Sequence, residues 1–140
     1  MSVSPEAAAA ARRWLQWADE DWTMADAASR DATFVPRGVC MWSHQAGEKA
    51  VKALLCAHDI DPPKQHDLSR LVQRLPERDR DLLDGIDIDE LSRWAIEGRY
   101  PDDFDEASTA EAATALKLAH EVMTRMRVQI GVVIGEHEAE

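Results

Sequence analysis

Between Val39 and His58 the chain contains no proline, and Val39, Trp42, Ala46, Ala50 and Leu54 recur at spacings of three and four, with Val51 and Leu55 beside them. That period lays a wide apolar face along a single helix. The rest of the chain has to supply the helices that cover it. In the stretch DIDPPKQ the adjacent Pro62 and Pro63 close the segment off, because neither ring can extend the hydrogen-bond ladder.

The same period appears on both sides. Leu15, Ala18, Trp22 and Ala25 put an apolar stripe on a helix from Pro5 to about Ser29, opened by a proline that suits a first turn. Asp31 to Gly38, with Pro36 and Gly38, reads as the first connection. Past the proline pair the pattern predicts shorter pieces: His66 to Leu75, a turn opened by Pro76 and, after Gly85, a helix from Ile86 to Glu97. GRYPDDFDE, residues 98–106, reads as a loop. Ser108 with Glu111 three residues later is a capping-box signature. Ala112, Leu116, Ala119, Met123, Met126 and Ile130 then predict a last helix, nearly antiparallel to the others and ending at Gly131. No repeat and no alternating strand is visible. The expected fold is all-α, an up-and-down bundle of four to five helices, with one domain over residues 1–131 and a C-terminal tail over 132–140.

A chain of 140 residues suits one hydrophobic core. Five Trp against two Phe and one Tyr make tryptophan the main large core candidate. Trp14, Trp17 and Trp22 fall on more than one face of the first helix, so at least one of them is expected at the surface, where it is a candidate dimer contact. The net charge of −11 repels a phosphate backbone at long range and argues against general nucleic-acid coating, while leaving room for a local basic pocket. Cys40 and Cys56 stand about 24 Å apart along one helix at 1.5 Å per residue, too far to pair, and read as buried thiols. No stretch approaches a membrane span and no leader pattern opens the chain, so a cytoplasmic location is expected.

The order CMWSHQAGEKAVKALLCAHDI, a proline loop, HDL, a short helix, and RYPDDFDEA before the last long helix resembles the HEPN family, named for higher eukaryotes and prokaryotes nucleotide-binding, in its prokaryotic stand-alone form. Gln45, Glu48, Lys49, Lys52, Ala53, Leu54 and Leu55, the His66-Asp67-Leu68 step and Arg99-Tyr100-Pro101 carry the resemblance. The first helix, WLQWADEDWTMA, adds to it. The resemblance implies a helical homodimer, often encoded beside a small nucleotidyltransferase as a toxin and antitoxin pair. It also implies that many members are metal-independent ribonucleases using an Arg, four to six residues and a His at the start of the last helix. Here the residues after Arg99 hold no His until His120. Arg37 and His44 have the spacing but sit at the entry to the second helix.

Metal-free RNA cleavage needs a base for the 2′-hydroxyl and a cation for the phosphorane. Arg99 offers the second, and nothing nearby offers the first. Tyr100 is too basic at an ordinary pKa near 10, and Asp102 and Asp103 repel phosphate. The favoured function is therefore binding of a nucleotide, or of a nucleotidyltransferase that carries one, with a divergent ribonuclease as the alternative. Candidate binding residues are Arg99, Tyr100, Arg93, Lys49, Lys52, Glu48 and His44, with Arg93 and Arg99 meeting Lys49 or Lys52 in a small basic pocket. The competing structural reading makes Arg99 a helix-end cap and Tyr100 a plug. It makes Glu48 and Lys52 an ion pair on a solvated face, worth a few tenths of a kcal/mol. His44 reads as a hydrogen-bonded histidine at a dimer interface, and His58, His120 and His137 carry no constellation. No catalytic residue, metal site or cofactor motif is read.

Overall fold

The computed structural model describes residues 3–95 and 106–135. Six helices follow in order: α1 (Pro5–Ser29), α2 (Pro36–Ala57), α3 (Leu68–Val72), α4 (Glu77–Asp81), α5 (Ile88–Ser92) and α6 (Thr109–Ile134). The described residues include no strand. The all-α expectation holds. The inventory differs, with three long helices and three of little more than one turn in place of four or five.

Local chemistry sets the helix ends. Ser4 Oγ accepts from the Ala7 N–H at 3.1 Å and Pro5 occupies the first turn. Pro36 likewise opens α2, so a residue assigned to the connection begins the helix instead. At the other end α2 stops before either proline of the Pro62-Pro63 pair. Asp59 turns left-handed (φ 60°) and the Ile60 N–H donates to Leu55 O at 2.9 Å, a closure that aspartate tolerates better than most residues. The capping box of α6 forms in full, the Glu111 N–H donating to Ser108 Oγ and the Ser108 N–H to Glu111 Oε1, both at 3.0 Å. α6 runs through Gly131 and ends at Gly135, whose φ of 77° supplies the left-handed turn. A glycine inside a helix costs about 1 kcal/mol but does not stop it.

α1 and α2 form an antiparallel hairpin, with Trp14 against Lys52 and Asp21 against Lys49. Their seam is built from alanine. Ala11, Ala18 and Ala25 recur at intervals of seven on α1, and Ala46, Ala50, Ala53 and Ala57 line α2, all without exposed surface. Small side chains let two helix axes approach closely and leave no room for an indole. Among the five tryptophans only Trp94 is buried, at 2% exposed, while Trp17 stands 40% exposed. Trp14, Trp22 and Trp42 are half-buried, so the core is alanine and leucine where tryptophan was expected.

α6 is antiparallel to α1, since Trp22 meets Leu116 and Asp19 meets Arg127. It runs in the same direction as α2. Cys40 near the start of α2 lies in the field of Glu111, and His58 at its end is bridged through Asp79 to Gln129. The last helix is therefore antiparallel to one neighbour only, and the chain between α2 and α6 has to travel back along the bundle. α3, α4 and α5 occupy that return. Ser69 and Ser92 join α3 to α5 at 2.7 Å, and Arg125 of α6 donates to Leu82 O at 2.7 Å and to Asp84 O at 3.2 Å.

The alanine seam generates a direct expectation. Ala18→Leu forces extra methylenes between α1 and α2 and is expected to cost about 1–3 kcal/mol in urea unfolding, whereas Ala9→Leu on the exposed face stays within about 0.5 kcal/mol of the parent. Equal stability of the two variants would contradict this packing.

Candidate functional site

Among the described residues five polar side chains are buried, and four of them stand on α2: Ser43, His44, Glu48 and Lys52, with Asp79 of α4 the fifth. His44, Glu48 and Lys52 follow one another at intervals of four, so they form a line along one side of the helix. Each is spoken for. Lys52 Nζ donates to Glu48 Oε2 at 3.1 Å and lies over the Trp14 ring, 5.4 Å from its centroid. His66 Nδ1 reaches the same carboxylate oxygen at 3.1 Å. The Glu48–Lys52 pair thus forms as the four-residue spacing predicts, but inside the protein and not on a solvated face. A pair so placed contributes differently from a surface one, because removing either member strands the other away from water.

His44 is 2% exposed, and its Nε2 accepts the Leu68 N–H at 3.3 Å. It is a core histidine holding the start of α3, which corrects its expected place at a dimer interface. Burial pushes its pKa down to about 4, with Asp67 pulling the other way and His66 and Lys52 adding to the depression. The imidazole is neutral and its accepting nitrogen is already used. Lys49, on the neighbouring face, is ion-paired to Asp21 at 2.5 Å.

Arg93 sits at the other end of α2. Its guanidinium donates to both Glu90 oxygens at 2.9 Å and to Glu111 Oε2 at 2.8 Å, and it lies 4.8 Å over the Trp94 ring centroid. The Ser108 backbone N–H, and then Arg93, hold the Glu111 carboxyl below its usual range. Cys40 feels the same charges. Burial, with Glu111 assisting and Arg93 opposing, pushes its thiol up to about 12, so it is inert. Cys40 and Lys52 are separated by roughly 18 Å along α2 at 1.5 Å per residue. Arg93 and Lys52 therefore do not converge, and Lys49 is held by Asp21, so of the pocket expected from Arg93 and Arg99 with Lys49 or Lys52 the described members are not brought together. Arg99 and Tyr100 lie outside the described residues.

A third polar group escaped sequence reasoning. The Asp79 carboxylate has no exposed surface, its Oδ2 meets His58 Nε2, and its Oδ1 accepts from Gln129 Nε2 at 2.9 Å. A buried carboxylate orienting an imidazole is the pairing that general bases use. Here the carboxylate's other partner is an amide of α6, and the group stands about 27 Å along α2 from the start of α6. It ties three helices together. The partners are 21 and 50 residues apart, and no local pattern connects them. Among the described residues no group of three His, Cys, Asp or Glu side chains is placed to hold a metal ion, and no helix is long and apolar enough to cross a membrane.

Comparison with known proteins places this geometry in context. A family model described as the HEPN domain matches residues 11–129. Among solved structures, an archaeal HEPN homologue is 24% identical, with a TM-score of 0.66 and an alignment covering 86% of this chain and 97% of its own. A Thermus thermophilus protein is 24% identical at a TM-score of 0.66, covering 84% of this chain and 95% of its own. At that identity both likenesses speak for the fold alone. No curated protein matches the chain.

The buried imidazole predicts a pH profile. Its pKa in the folded chain, about 4, lies below the ordinary 6.5, so the unfolded chain binds the extra proton first. The stabilisation is complete above pH 6.5 and is lost as pH falls toward 4, by about 3 kcal/mol in all. His44→Gln keeps an acceptor for the Leu68 N–H and removes the titration. Its urea midpoint is expected to fall less steeply over that window than the parent's, and parallel profiles would refute the assignment.

Proposed function

The chain belongs to the HEPN family, and from that premise we propose that it works by binding: a homodimeric helical protein that acts with a nucleotide, or with a nucleotidyltransferase carrying one, as part of a toxin and antitoxin system. One observation carries the choice of binding over RNA cleavage. At the spacing from Arg99 where ribonuclease members of the family keep their histidine, this chain has Phe104, Asp105 and Glu106, and the start of α6 carries Glu111, bound to Arg93 and to the helix cap. A carboxylate there opposes an incoming phosphodiester, and no imidazole stands beside it among the described residues.

The two lysines of α2 are also unavailable. Lys52 is consumed by Glu48 and Lys49 by Asp21, so neither is free to meet a phosphate. Arg70, Arg74 and Arg78 are exposed and form no ion pair among the described residues. The α3–α4 return thus carries a group of open positive charges suited to a phosphate-bearing partner. With Arg99, these side chains are the natural contacts for such a partner, in place of Arg93, Lys49, Lys52, Glu48 and His44.

The reading separates cleanly from the ribonuclease alternative. Structured RNA incubated with the purified protein in EDTA is expected to stay intact, for the parent and for Arg99→Ala alike. Cleavage by the parent that disappears in Arg99→Ala would overturn the binding reading. Sedimentation equilibrium at micromolar concentration is expected to give twice the chain mass of 15.7 kDa, and a mass of one chain would remove the homodimer.

A further inference from the structure

A cavity of about 900 Å³ opens between the end of α1, the connection into α2 and the first half of α6. None of the buried polar residues of the candidate site lines it. Its size falls within the range of small-molecule sites. Ala28, Val39 and Ala112 of the buried core form part of its lining, and Trp22, Phe34 and Leu116 add larger apolar surface. The Trp22 ring is fixed in place, its Nε1–H donating to Leu116 O at 3.1 Å and the His120 ring tilted against it at 52° with ring centroids 5.2 Å apart. Phe34 is 45% exposed and packs edge-on to Trp42 at 5.9 Å. Two preset aromatic rings in one apolar cavity suit a flat ring system better than an aliphatic chain.

The charged residues lining it are Arg30, Asp31 and Lys117. Lys117 lines the cavity and forms no ion pair among the described residues, and the His120 ring, whose described contact is with Trp22, lies one helical turn further on. Arg30 contributes a second cation, a guanidinium paired at 2.8 Å with Asp26. Thr109 brings in the first turn of α6, where the helix dipole is positive. The opposing group is Asp31, whose carboxylate accepts the Thr33 N–H at 2.9 Å. In a chain of net charge −11 an unpaired lysine beside aromatic walls is not the average surface. We propose that this cavity binds a small aromatic anion, its ring between Trp22 and Phe34 and its acidic group on Lys117. The site is independent of the nucleotide reading, and its test does not depend on that reading.

Two dyes that share one ring system make the test. 1-Anilinonaphthalene-8-sulfonate is the anion and N-phenyl-1-naphthylamine its uncharged counterpart, each titrated into the full chain with tryptophan emission as the donor signal. The sulfonate is expected to bind at one per chain. Ala113→Trp fills the cavity from an exposed lining position and is expected to weaken both dyes by about tenfold or more, while Thr114→Trp, exposed and outside the lining, leaves both within roughly twofold. Lys117→Glu is expected to weaken the sulfonate by about tenfold and to spare the uncharged dye. If Ala113→Trp leaves sulfonate binding intact, the cavity is not the site. If Lys117→Glu weakens both dyes equally or neither, recognition of the anion is overturned. Unchanged urea midpoints for the variants tie either outcome to the site and not to the fold.

Discussion

A helix enclosed on nearly every side has to satisfy its polar side chains within the protein, and α2 is such a helix. Between Val39 and Ala57 it carries His44, Glu48 and Lys52 almost out of contact with water, beside Ser43, whose Oγ has no hydrogen-bond partner among the described residues. Much of the remaining architecture answers that demand. Trp14 of α1 lies beneath the Lys52 ammonium, His66 in the return segment completes the Glu48 carboxylate, and the backbone of Leu68 donates to His44. The His66-Asp67-Leu68 step is thus the lid of the α2 polar line. Asp67 adds its own contribution by capping α3, its Oδ1 accepting the Ser69 N–H at 3.0 Å.

The parallel course of α2 and α6 follows from the same enclosure. With α1 on one side across an alanine seam, α6 covers another side, and the return through α3, α4 and α5 covers what is left. Gly47 records how tightly the return packs, since a Cβ there would stand 3.1 Å from Leu91 Cδ2 and 3.4 Å from Leu68 Cδ2. At the far end, where α2 closes, Asp79 gathers His58 and Gln129 and locks α4 between the two long helices. Isolated, a buried carboxylate would be costly; bonded on both oxygens, it fixes one arrangement of three helices.

Local signals in the sequence were dependable because they act over three or four residues. Pro5 after Ser4, the Ser108–Glu111 box and the three long apolar periods each specify their element without outside help. The fold class follows from them. What depended on distant partners was not legible. Four-residue spacing shows that Glu48 and Lys52 can pair, but their burial depends on Trp14 and His66, which come from other elements. The exposure of Trp17 and the half-burial of Trp14 and Trp22 depend on how closely alanine lets α1 and α2 approach. The Asp79–His58–Gln129 group and the Trp22–His120 cavity are assembled from separate helices and leave no pattern in any one of them. Short helices suffered most, as Ile88–Ser92 is far briefer than the span from Ile86 to Glu97 that periodicity suggested.

Of the residues expected to bind a ligand, those described turn out to hold the bundle together. His44, Glu48, Lys49, Lys52 and Arg93 all have intramolecular partners, so the proposed ligand contacts lie elsewhere, on the α3–α4 return, on Arg99 and in the cavity beside α6. The most direct measurement is a urea-unfolding double-mutant cycle on Glu48→Leu and Lys52→Met. If the pair serves the fold, each single substitution strands a buried charge and costs about 3–5 kcal/mol, and the double variant is less destabilised than the sum. Single variants that match or exceed the parent in stability, with additive effects, would mark residues kept for a ligand at the expense of the fold and would contradict the account.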